Sequence, residues 1–82
     1  MNNKYGVMIS PNHVPLNATL TVKSAAESFA DKDYIITDET GRIIRKGAIA
    51  TGISEFKLSM VGMLKGAYKF TMGKVHERFI VL

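Results

Sequence analysis

Proton transfer near neutral pH needs a side chain that titrates there, and this sequence supplies two, His13 and His76. Neither has a companion by spacing. His13 stands in a proline-flanked stretch, Ser10-Pro11-Asn12-His13-Val14-Pro15, which reads as loop, and His76 lies in an alternating segment near the end of the chain. Both fit exposed positions. The carboxylates Asp31, Asp33, Asp38 and Glu39 are close in sequence, but they lack the spacing and ligand-bearing positions of a calcium loop. Asp38 has a simpler use, accepting backbone amides inside a turn. The absence of cysteine removes disulfides, thiolate metal sites and a cysteine nucleophile together. Phosphate-cradling glycine motifs and nucleophile elbows are missing, and Asn17-Ala18-Thr19 matches a glycosylation sequon by letters alone. The expectation is a protein that is not an enzyme, with no catalytic residue, no bound metal, no cofactor and no small-molecule substrate.

The elements that would position these residues are strands. Apolar and polar residues alternate with period two in most segments, and no window of helical length keeps an apolar stripe at three-to-four spacing. Tyr5, Val7 and Ile9 alternate up to the proline, and Leu20 and Val22 oppose Thr19, Thr21 and Lys23. Residues 24–33 read as loop, with one helical turn at most behind the Ser24 to Glu27 capping pattern. Asp38-Glu39-Thr40-Gly41 joins two apolar runs as a hairpin with Gly41 left-handed. A three-residue loop there sets Asp38 across from Arg42, Ile35 across from Arg45, and Ile36 across from Ile44, the last two sharing the core face. Phe56 and Leu58 are predicted to point inward. Residues 60–66 are predicted to cross one end of the fold with Leu64 tucked inside. Gly73-Lys74 forms a two-residue type II′ turn that places Met72 opposite Val75, Phe70 opposite Glu77 and Tyr68 opposite Phe79. Glu77 is the misfit on an otherwise apolar face, so it belongs at the rim of the core or on a bulge.

Eighty-two residues form a single domain, since so short a chain cannot divide its apolar residues between two cores. About seven short strands with regular turns point to an all-β, antiparallel two-sheet β-sandwich of immunoglobulin-like size, with a small barrel as the alternative. Met1, Asn2, Asn3 and Lys4 are expected to be disordered, and they lack the apolar stretch of a secretory signal, so export is not expected to start there. Eleven Lys and Arg against seven Asp and Glu give a net charge of +4 that is spread along the chain. Without aromatic platforms along a basic stripe, no nucleic-acid partner is expected.

Four segments, in order, resemble the type A C-terminal sorting domain of type IX secretion system cargo. Ile9-Ser10-Pro11-Asn12 with Leu20-Thr21-Val22 resembles the family's opening motif and first strand. Ile35-Ile36-Thr37-Asp38-Glu39-Thr40-Gly41-Arg42 resembles its central hairpin, and residues 56–68, with Leu64-Lys65-Gly66-Ala67-Tyr68, approximate its Leu-x-x-Gly-x-Tyr segment, with one residue fewer between Leu64 and Gly66. Gly73-Lys74 leading to Phe79-Ile80-Val81 resembles the closing strand. His13 stands where the family usually has a second proline, and Leu82 where a polar or basic end is frequent. The resemblance implies a sandwich appended to an upstream cargo domain of the same chain. That protein would be exported, in the periplasm in transit and then at the outer membrane, cell surface or outside the cell. The implied partners are the outer-membrane translocon, a shuttle protein and a sortase. Recognition is expected on the exposed Gly41 and Arg42 turn, on Gly73 and Lys74, and on the last strand, Val75, His76, Glu77, Arg78, Phe79, Ile80, Val81 and Leu82. The competing function is an accessory immunoglobulin-like module of a surface protein, structural or carbohydrate-binding.

Overall fold

Leu20 and Val22 are fully buried while Thr19 and Lys23 face solvent, so the alternation of that segment becomes the two faces of a strand. A computed structural model describes residues 6–82, and these are all strand, turn and loop. The expectations for residues 1–4 and for Tyr5 lie outside the described residues. The strands are β1 (Val7–Ser10), β2 (His13–Val14), β3 (Thr19–Ser24), β4 (Asp33–Asp38), β5 (Ile43–Ala48), β6 (Glu55–Ser59), β7 (Gly66–Met72) and β8 (Val75–Val81). They form a three-stranded sheet in the order β1-β3-β6 and a five-stranded sheet in the order β2-β8-β7-β4-β5.

The inner faces bring Leu20 and Val22 against Ile36, Phe70, Phe79 and Val81, all almost wholly buried. Burial of each such side chain is worth roughly 1.5–3 kcal/mol. Phe56 and Leu58 point inward as the alternation predicts and pack on this core half-buried. A ring cluster fills one end: Tyr34 stacks between Phe56 and Phe70 at 5.6 and 5.8 Å, and Phe29 meets Phe56 edge-on at 5.2 Å. Phe29 comes from the loop before β4, which contains no helical turn. Ser24 Oγ accepts the Ala26 N–H there, and the Phe29 N–H donates to Ile53 O.

The β7–β8 hairpin has the register that its two-residue turn dictates, Met72 with Val75 through to Tyr68 with Phe79. Gly73 has φ +59° and Lys74 has negative φ, as a type II′ turn requires. Glu77 is half-buried opposite Phe70, at the rim of the core.

Four expectations need correction. Among the described residues the two sheets contain eight strands, close to the expected number of about seven, but they are not wholly antiparallel. His13 is in a strand, β2, which pairs in parallel with Ile80 of β8. The β4–β5 ladder follows the predicted register only near its turn, where the Asp38 N–H donates to Arg42 O and Thr37 pairs with Ile43; a bulge then puts Arg45, not Ile44, opposite Ile36. Ile44 is thereby left on the surface. The bulge turns Arg45 to the inner side of the sheet edge, where its guanidinium donates to Ser59 O and to Val61 O, supplying donors to two carbonyls of the chain leaving β6. Leu64 is not tucked in but 79% exposed. Residues 60–66 instead bury Met60 and Met63, joined by a bond from Met63 N to Met60 O.

Candidate recognition surface

Asp38 ends β4 and organises the turn that follows it. Its Oδ1 accepts from Thr40 N at 2.9 Å, from Thr40 Oγ1 at 2.7 Å and from Arg42 N at 3.1 Å, while Oδ2 lies 3.3 Å from Arg42 Nε. The Thr40 hydroxyl bond, helped by both backbone amides and by the Arg42 charge and opposed by desolvation, holds the Asp38 carboxyl below its ordinary value. Gly41 closes this turn at φ +86°, with open space around it. Arg42 is exposed apart from its pair with Asp38.

The Tyr68 O–H donates to Leu64 O at 2.7 Å. Leu64-Lys65-Gly66-Ala67-Tyr68 is therefore a structural corner, in which the ring is buried on Phe79 at 5.7 Å and the hydroxyl holds the chain entering β7. Asp38, Arg42, Ile44, Leu64 and Tyr68 line a depression of about 460 Å³ at this end.

Gly73 and Lys74 lie at the opposite end of the sheet. Because β4 and β7 run antiparallel, with Asp38 beside Tyr68 and Ile35 beside Thr71, the Gly41–Arg42 turn sits near the start of β7 and the end of β8, a strand length from Gly73. A Cβ on Gly73 would meet the exposed Asp31 carboxylate, which can swing aside, so it is the positive φ that favours glycine there. Val7, Phe29, Met72, Lys74 and Val75 border an apolar depression of about 500 Å³ beside it.

The last strand divides its residues between the two faces. Val75, Phe79 and Val81 are buried in the core and Glu77 is half-buried, which leaves His76, Arg78, Ile80 and the exposed Leu82 to meet a partner. Deleting residues 74–82 would remove part of the core, so recognition by β8 has to be tested on its outward side chains. The opening and closing segments do meet: Ile80 N donates to Asn12 O and Leu82 N to Val14 O, both at 2.8 Å, just after the cis Ser10–Pro11 bond.

No family model matches the chain, and no curated protein matches it. Among solved structures it is similar to a single mutant of a thermostable endoglucanase from Alicyclobacillus acidocaldarius, with a TM-score of 0.67 at 10% identity. The likeness is one of fold. It covers 95% of this chain and 15% of that one.

The two histidines share the outer face of the five-stranded sheet without converging, because His13 pairs with Ile80, four residues along β8 from His76, or roughly 13 Å at strand rise. His13 Nδ1 lies 3.2 Å from Asn12 Oδ1, and His76 Nδ1 lies 3.2 Å from Thr71 Oγ1. Among the described residues no three His, Asp or Glu side chains come together as metal ligands. Sequence reasoning missed the Arg45 tie and the contact of β2 with β8. The prolines around β2 hide a strand of two residues, and no local pattern marks the carbonyls that Arg45 reaches.

Proposed function

We propose that this chain is a C-terminal sorting domain. It would direct an upstream cargo domain through the type IX outer-membrane translocon, dock on a shuttle protein and be a substrate for a sortase, with no catalysis of its own. What carries the proposal is the ordered set of four sequence segments that spans nearly the whole described chain. Exposure of the Gly41–Arg42 and Gly73–Lys74 turns, and of His76, Arg78 and Ile80 on the last strand, supports it, since a folded label must offer its signals at the surface. An immunoglobulin-like form of the sandwich is part of the same proposal. The Tyr68 hydroxyl bond back to Leu64 and the passage of the chain from β1 in one sheet to β2 in the other support that form.

A second reading, an accessory immunoglobulin-like module, draws on the fold likeness to a short part of a longer endoglucanase chain. The tyrosine corner and glycine turns would serve such a module equally well. Export of a reporter fused ahead of residues 1–82 separates the two, because a sorting domain releases it only when the translocon is intact.

A further inference from the structure

The two outer faces of the sandwich manage their charges differently. On the three-stranded sheet Lys23 and Lys57 flank Glu55, with nitrogen–oxygen distances of 3.6 and 3.8 Å. The five-stranded sheet instead sets Lys69 directly opposite Arg78. Ile80 and Leu82 donate their N–H groups toward β2, so the even-numbered residues of β8 turn their backbone groups away from β7. Lys69 and Arg78 are therefore a non-hydrogen-bonded pair, the position where side chains on neighbouring strands come closest, with Cα atoms about 4.5 Å apart. Like charges placed opposite one another destabilise a sheet.

Among the described residues, neither Lys69 nor Arg78 forms an ion pair. Lys46 joins them on this face through its pairing with Ile35, and His76 through its pairing with Thr71. Asp33, at the start of β4, is the carboxylate that the strands of this face contribute. Asp38 and Glu39 border the shallow depression that Lys69 and Arg78 line, but Asp38 is paired with Arg42 and neither carboxylate forms an ion pair with Lys69 or Arg78. A local rule broken without internal compensation is characteristic of a surface kept for a ligand.

We propose that this face binds an acidic segment of a partner protein, its carboxylates bridging Lys69 and Arg78. Charge complementarity requires an anion, and the apolar residues interleaved with the cations select the kind. Ile43 is 54% exposed and Ile80 39%, which gives a peptide's apolar side chains a place to rest beside its paired carboxylates. The outward residues of these strands include no Phe, Tyr or Trp. Sugars and bases have nothing to stack on, and the aromatic anchors of a membrane-surface protein are missing. The inference stands whichever machinery reads the domain.

The test uses a fluorescent synthetic peptide that alternates glutamate and valine, with binding followed by anisotropy at low salt. Lys69→Glu should weaken binding by about tenfold or more. It should leave the melting temperature unchanged or raised, because the substituted carboxylate then faces Arg78. Lys65→Glu, the same charge change in the loop before β7, should alter affinity by about twofold at most, since it is solvated and outside the face. Absence of peptide binding, or equal weakening by the two substitutions, would overturn the proposal. So would tighter binding to heparin, duplex DNA or phosphatidylserine vesicles than to the peptide.

Discussion

Tyr68 and Asp38 each convert a short sequence motif into a fixed backbone path. The Tyr68 hydroxyl has one partner to lose, Leu64 O, while its ring stays packed on Phe79. Tyr68→Phe should therefore cost about 0.5–1.5 kcal/mol, seen by urea unfolding, with a fall in melting temperature of roughly 4–8 °C per kcal/mol for a domain of this size. A change within error would mean that water replaces the bond without loss. Asp38 adds a pH signature. Its folded pKa lies below the unfolded value near 3.8, so its contribution to stability is complete above that value and disappears as pH falls through the folded pKa. Asp38→Asn keeps an oxygen acceptor but loses the charge that Thr40 and Arg42 stabilise. The gap in melting temperature between the parent chain and Asp38→Asn should be constant above about pH 5 and close as the solution is taken below the carboxylate range. A gap that persists unchanged to the most acid conditions would contradict that assignment.

Among the elements, the β7–β8 hairpin was legible in full because a two-residue turn with Gly73 fixes the register of everything behind it. The β4–β5 hairpin was legible only near its turn. Asp38, Thr40 and Gly41 write the turn in local chemistry, whereas the bulge that expels Ile44 brings Arg45 to the carbonyls of Ser59 and Val61, a contact far apart in sequence. The crossing from β6 to β7 misleads for a similar reason. Leu64 looks like the anchor in sequence, but the corner made by Tyr68 uses the Leu64 carbonyl and leaves its side chain outside, while Met60 and Met63 turn inward. Met60→Ala should cost about 2–5 kcal/mol and Leu64→Ala no more than about 0.5 kcal/mol, both read from denaturant midpoints. Equal losses would show that the crossing packs differently.

At the scale of the whole molecule, the candidate signals fall at both ends of the five-stranded sheet and on the outward half of β8. The sequence motifs identify these residues. Their separation depends on strand order and direction, which alternation alone does not carry. A partner that touched both turns at once would have to span the sheet lengthwise, passing over Lys69, Arg78 and His76 on its outer face. The central claim, that residues 1–82 are a sufficient address for export, is tested most directly with a signal peptide and fluorescent reporter fused ahead of the chain in type IX-competent cells. Fluorescence is then compared at the surface and in the medium between that strain and one lacking the translocon. The sorting account predicts surface or released signal in the competent strain and periplasmic retention in the other. Retention in both strains, with the domain folded and resistant to protease, would contradict it and favour the accessory module.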